Sequence, residues 1–156
     1  MINLFEASLE KNESYKDRKN IYGSDVLEMF NAIPWSDDRK DCFKSEDEFG
    51  SFFSVSYKDA NNLKFSFDAE LYIEDEHKDE SSPIKFSLTY SYQHIKTKKI
   101  LFGLLGEKEE TADENIFMDD QNMEFTLKCL NAFLRHDHEF LINNMYENFG
   151  IDLKYK

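Results

Sequence analysis

Residues 133–141, "FLRHDHEFL", set His136, Asp137, His138 and Glu139 side by side. All four are side-chain types that hold divalent metals or move protons. On a continuous helix, residues two apart project about 200° from each other, so His136 and His138 could not grip one ion together. A helical zinc pair needs the four-residue spacing of HExxH, which this stretch lacks. A break at Asp137 would free the geometry, with His77 and His94 joining only if the fold brought them close. A metal-dependent hydrolase using the His136–Glu139 region is therefore the alternative reading, and the first reading assigns no metal and no cofactor.

Nucleophiles give no stronger signal. The chain has no GxSxG elbow, no P-loop and no dinucleotide fingerprint, and "GLLG" lacks the spacing and the trailing Lys-Ser/Thr. Cys42 and Cys129 form neither a CxxC pair nor a metal knuckle. Cys129, in an apolar stretch, reads as a small buried hydrophobe. No residue is assigned as catalytic, and the chain reads as a non-enzyme.

The remaining signal is charge. Thirty-two acids against nineteen bases give a net charge of -13 over 156 residues. Such a balance repels nucleic-acid phosphates and anionic membrane, which are bound by Lys and Arg, and it attracts a basic protein. Acidity of this degree also serves solubility alone. Two runs carry eight of the net charges. "EDEHKDE" holds Glu74, Asp75, Glu76, Asp79 and Glu80, and "EKEETADE" holds Glu107, Glu109, Glu110, Asp113 and Glu114, each with one lysine.

The elements that position these runs follow from periodicity. Fifteen Phe, eight Tyr and one Trp supply core material that disordered chains lack, and the length fits a single domain. Residues 1–35 read as helical, with Leu4, Phe5 and Leu9 at helical spacing and a firmer short helix in "SDVLEMFNAIPW". Ser24 would cap that helix, Asp25 would sit in its first turn, and Pro34 would end it. Trp35 reads as a core plug. Residues 36–50 form a polar connector with six acids and three bases.

Over residues 51–106 the period becomes two. Phe53, Val55 and Tyr57 alternate with serines, then Leu63, Phe65, Phe67, Ala69, Leu71 and Ile73, then Ile84, Phe86, Leu88, Tyr90 and Tyr92 alternate with polar residues. Strict alternation marks antiparallel strands with one buried and one wet face. "KKILFGLLGEK" reads as a fourth, more central strand with a bulge at Gly103. An acidic loop over 107–118 then leads to a long helix over 119–149, capped by Asp119 or Asp120 and stopped near Gly150. The insert "RHDH" bends this helix or divides it, with Asp137 capping the second half.

The fold class expected is α+β: one domain, a meander of about four antiparallel strands covered on one face by the C-terminal helix, or two, and a short N-terminal helix. In that meander the exits of strands two and four point the same way, so both acidic runs share one end of the sheet. The function expected is a non-catalytic acidic binder that neutralises a basic protein, either a toxin or a nucleic-acid-binding enzyme. Bacterial immunity proteins against toxin nucleases share this profile of charge and size. Tyr72, Tyr90 and Tyr92, near strand ends, would anchor the dry centre of the contact. The opening residues are too soon acidic for a secretory signal, and no window approaches ~18 apolar residues. The chain thus reads as cytoplasmic, with no membrane or direct nucleic-acid partner, and as a monomer or weak dimer unless it is an assembly subunit.

Overall fold

A computed structural model describes residues 4–11, 14–44, 50–73, 82–100 and 106–147. The elements run β1 (Phe5–Lys11), β2 (Ser14–Ile21), α1 (Gly23–Asn31), α2 (Trp35–Lys44), β3 (Phe52–Lys58), β4 (Lys64–Tyr72), β5 (Lys85–Lys99), β6 (Glu107–Asn122), α3 (Met123–Leu134) and α4 (His138–Glu147). Among the described residues the strands form one six-stranded antiparallel sheet in the order β2-β1-β3-β4-β5-β6. The α+β class stands. The four-strand count and the long C-terminal helix do not.

The three alternating runs are β3, β4 and the first half of β5. Phe53, Val55, Phe67, Ala69, Phe86, Leu88 and Tyr90 are fully buried on the helix-covered face. Phe30 of α1 and Phe133 of α3 pack into the same cluster. The β3–β4 turn is fixed by Asp59, whose carboxylate accepts from the backbone N–H of Asn61 and Leu63, and Asn62 takes φ 63°. Trp35 is the core plug expected, lying edge-on to Phe86 at 5.0 Å with Phe30 beside it.

The expectation for residues 1–35 fails in its first half. Phe5, Ala7 and Leu9 alternate inward on β1, and β2 pairs with it as a hairpin whose outer strand is almost wholly exposed. The short N-terminal helix is α1, where Asp25 accepts from the Tyr22 backbone N–H, so Tyr22 rather than Ser24 is the N-cap. The polar connector 36–50 is largely helix α2, which sends Asp38 inward at 1% exposure. There the Asp38 carboxylate takes the Lys11 ammonium and the Ser51 hydroxyl. A buried acid held by two donors costs far less than a bare one, and it ties α2 to β1 and to the start of β3.

The expected fourth strand straddles a reversal. Lys99 ends β5 and Glu107 opens β6 opposite it, while residues 101–105, with Gly103, lie outside the described residues. The acidic loop 107–118 is strand β6, because Ile116 and Met118 pair with Tyr90 and Leu88 and carry the strand into the core. The helix that follows starts at Met123 and is capped by Asn122, which accepts from the Phe125 N–H at 2.8 Å, rather than by Asp119 or Asp120. It breaks at residues 135–137, where His136 takes φ 59° and Asp137 caps α4 through the Phe140 N–H at 3.0 Å. Gly150 lies outside the described residues.

Candidate functional site

His136 and His138 come together without forming a metal centre. Because the chain breaks at Asp137, both rings lean on one aromatic cluster, His136 stacked on Phe5 and His138 on Phe65 at 4.6 Å. Both nitrogens of His138 are engaged: the Tyr57 hydroxyl lies 2.9 Å from Nε2 and the Tyr90 hydroxyl 2.6 Å from Nδ1. Burial holds both imidazoles below the usual histidine range and both tyrosines above theirs. A neutral ring with both nitrogens spoken for has no lone pair left for a metal. Among the described residues no group of three His, Cys, Asp or Glu is placed to hold an ion. Cys129 is fully buried, its thiol pushed up to about 12, which makes it a poor nucleophile.

The acidic runs are placed differently from the arrangement expected. β4 ends at Tyr72 opposite Lys85, the first residue of β5, whereas Glu107 faces Lys99, the last. The chain therefore enters and leaves residues 74–81 at one end of β5, while Glu107 sits at the other, roughly 45 Å away at the usual strand rise. The shared end is corrected accordingly. Glu74, Asp75, Glu76, Asp79 and Glu80 themselves lie outside the described residues.

The second run is also largely compensated. β4 pairs with β5 only as far as Tyr92, so residues 93–99 and 107–113 run on as a two-stranded ribbon. Three lysines on 93–99 face the net four negative charges of 107–114. Lys96 reaches Glu114 at 3.0 Å and Lys98 reaches Glu110 at 3.9 Å, while Asp113 accepts from Gln93 at 2.9 Å. Glu107 and Glu109 are exposed beside them.

A different set of acids gathers where β4 ends and β5 begins. Asp119 and Asp120 of β6 stand there, Asp119 accepting from the Ser87 hydroxyl and Asp120 paired with Lys85 at 2.9 Å. Glu70, opposite Ser87 in the ladder, is held above the usual carboxylate range by burial and by the negative charge of Asp119. Gly50, where the chain resumes after the acids of 45–49, lies so close to Leu71 that an added Cβ would sit 2.5 Å from that side chain. The described residues that flank 45–49 and 74–81, Gly50 on one side and Ile73 and Ser82 on the other, thus lie at this rim.

The rim holds a cleft of about 310 Å³ between α2 and the sheet, with Phe43, Tyr72, Ile73 and Pro83 in its lining. Arg39 crosses it, its guanidinium over the Phe43 ring at 5.8 Å and donating to the Ser82 carbonyl. Of the three tyrosines expected as anchors, Tyr72 lines this cleft. Tyr90 is fully buried on His138, and Tyr92 stacks on Tyr90 at 5.3 Å, so both face the helix side of the sheet. The sequence reading missed Asp119 and Asp120 as rim acids by taking them for helix caps. Their two-residue run at the end of an alternating Ile116–Met118 pair was the available signal.

The chain matches no protein-family model, no curated protein and no solved structure. No helix among the described residues is long and apolar enough to cross a membrane.

Proposed function

We propose that this chain is a non-catalytic binding protein that receives a cationic partner at the acidic rim where β4 ends and β5 begins. The observation that carries the reading is that Asp119 and Asp120 stand there beside the described residues that flank the acidic stretches 45–49 and 74–81, around a cleft lined in part by Phe43, Tyr72, Ile73 and Pro83. Like charges held together cost stability, and Glu70 is held above the usual carboxylate range by burial first and by the charge of Asp119 second. A partner's lysines and arginines would relieve it, and an apolar side chain entering beside Tyr72 and Phe43 would supply the desolvated centre that charge alone does not. The partner class this favours is a protein whose basic surface otherwise holds phosphate, such as a toxin nuclease or another nucleic-acid-binding enzyme.

The test is charge reversal at Glu74, Asp75 and Asp119 to lysine, with Glu107 and Glu109 reversed in a separate variant. Capture of a partner from the native source should be lost in the first variant, retained in the second, and weakened by salt in the wild type. Equal capture by both variants would discard the rim.

A further inference from the structure

A second concavity lies on the opposite flank of the sheet and has the opposite charge. A groove of about 770 Å³ runs between the β1–β2 hairpin and the end of α1, within the size range of small-molecule sites. Its floor is apolar: Leu9 of β1, Met29 of α1, then Ile33 and Pro34 of the link to α2. Its wall is basic. Strand pairing sets Lys16 opposite Leu9 and Arg18 opposite Ala7, so these two cations alternate to the same face as the apolar floor. Asp17 also borders the groove, but it pairs with Ser8 and alternates to the other face.

The cations of this wall are differently committed. Lys11, at the end of the groove, is bound to Asp38 and lies 3.7 Å from Asp41. Lys16 and Arg18 have no carboxylate within ion-pair distance among the described residues. Two free cations about 7 Å apart along one strand face, above apolar residues, form a local positive site on a chain of net charge -13. At physiological salt, charges more than about 8 Å away are largely screened, so the local field is set by Lys16 and Arg18 against the nearby carboxylate of Asp17, which alternates to the other face.

We infer that this groove binds a small amphipathic anion. An apolar chain lies along Leu9, Met29 and Ile33, and a terminal carboxylate or phosphate is held by Arg18 and Lys16. Arginine offers a planar fork that meets either headgroup with two hydrogen bonds, and lysine adds a point charge. This site is independent of the acidic rim, and either can fail without the other.

The test is calorimetric titration of the full chain with decanoate and with decyl phosphate, both below their micelle concentrations, and with decyltrimethylammonium as the cationic control. One anion per chain should bind and the cation should not. The variant K16E/R18E should weaken anion binding by about tenfold or more, as expected when two charge-assisted contacts are lost. Ala32→Trp, at an exposed position bordering the groove, should weaken it equally by filling the space. Both variants alter exposed positions, and circular dichroism should show an unchanged melt. Tighter binding of the phosphate would name a phospholipid-like ligand, tighter binding of the carboxylate a fatty acid, and either order supports the proposal. Equal binding of the cationic control, anion affinity unchanged in both variants, or preference for a polyglutamate peptide over both alkyl anions would overturn it.

Discussion

The hydroxyl of Tyr90 lies 2.6 Å from Nδ1 of His138, and the opposite nitrogen of the same ring meets the hydroxyl of Tyr57 at 2.9 Å. One histidine at the first turn of α4 thus fastens that helix to β3 and β5 at once. A neutral imidazole has one N–H and one lone pair, so one tyrosine accepts while the other donates. An imidazolium would leave the donating tyrosine without its acceptor. The site favours the neutral ring through burial, helped by His136 and opposed by Asp137 and Asp59.

The sign of the resulting pH dependence is fixed. The folded chain binds a proton at His138 less readily than the unfolded chain, so stability is complete above about pH 6.5 and falls as the pH drops below it. His136 adds to the same trend, its imidazole also lowered by burial. Urea titrations at pH 7.5 and 5.5 should show this loss. In His138→Gln, whose amide can still donate to one tyrosine and accept from the other, the loss should be shallower. An identical slope in that variant would assign the acid sensitivity elsewhere.

The Lys11–Asp38 pair makes an asymmetric prediction. Asp38 is 1% exposed, whereas the Lys11 side chain keeps 32% of its exposure. Lys11→Met strands a buried carboxylate and should cost about 3 kcal/mol. Asp38→Asn keeps an acceptor for Ser51 and leaves a lysine that can turn to water, so it should cost less, about 1 kcal/mol. In the double variant the methionine no longer faces a buried charge, and part of the larger loss should return. Guanidinium melts of the three variants provide the measurement.

Glu70 should show stability traded against binding. Its folded-state pKa is raised, so its contribution is favourable below the unfolded carboxylate value and is lost as the pH rises through the folded one. At pH 7 the charge is a cost. Glu70→Gln should therefore melt at a higher temperature than wild type at pH 7, with the gain shrinking near pH 4. If the rim receives a cationic partner, the same variant should bind it more slowly, with the largest deficit at low salt. A variant that is both more stable and an equally fast binder would place the contact elsewhere.

Much of the sheet was legible in the sequence because β3, β4 and the start of β5 each have one face in the core and one in water. Phe53, Val55, Phe67 and Leu88 are visible as alternation for that reason. The edges were not. β2 has no buried face, so "SYKDRKNI" carries no period, and the single turn of helical spacing from Phe5 to Leu9 competed with the true alternation of Phe5, Ala7 and Leu9. Helix α2 was hidden because the residue it buries most deeply beyond Trp35 is an aspartate, Asp38. The acidic rim depends on which strand ends coincide. The continuous apolar character of "KKILFGLLGEK" reads as one strand and so hides the reversal between Lys99 and Glu107 on which that depends.

The outer ribbon supplies the last prediction. Residues 93–99 and 107–113 continue the β5–β6 ladder past the end of β4, and most of their side chains are exposed, Ile95 at 51%. Such a ribbon is held by its own ladder and by the pairs Lys96–Glu114 and Lys98–Glu110, and exposed pairs contribute about 0.2–1 kcal/mol each. Two isolated strands are marginal in water, so this segment should open without the core opening. Hydrogen exchange resolved by residue should show amides of 95–99 and 107–111 exchanging orders of magnitude faster than those of 86–90 in the same strand. Raising the salt should speed the ribbon further by weakening its ion pairs while leaving the inner half unchanged. Equal protection along the whole of β5 would mean that something else covers the ribbon, and a second copy of the chain at high concentration would be the first candidate to test.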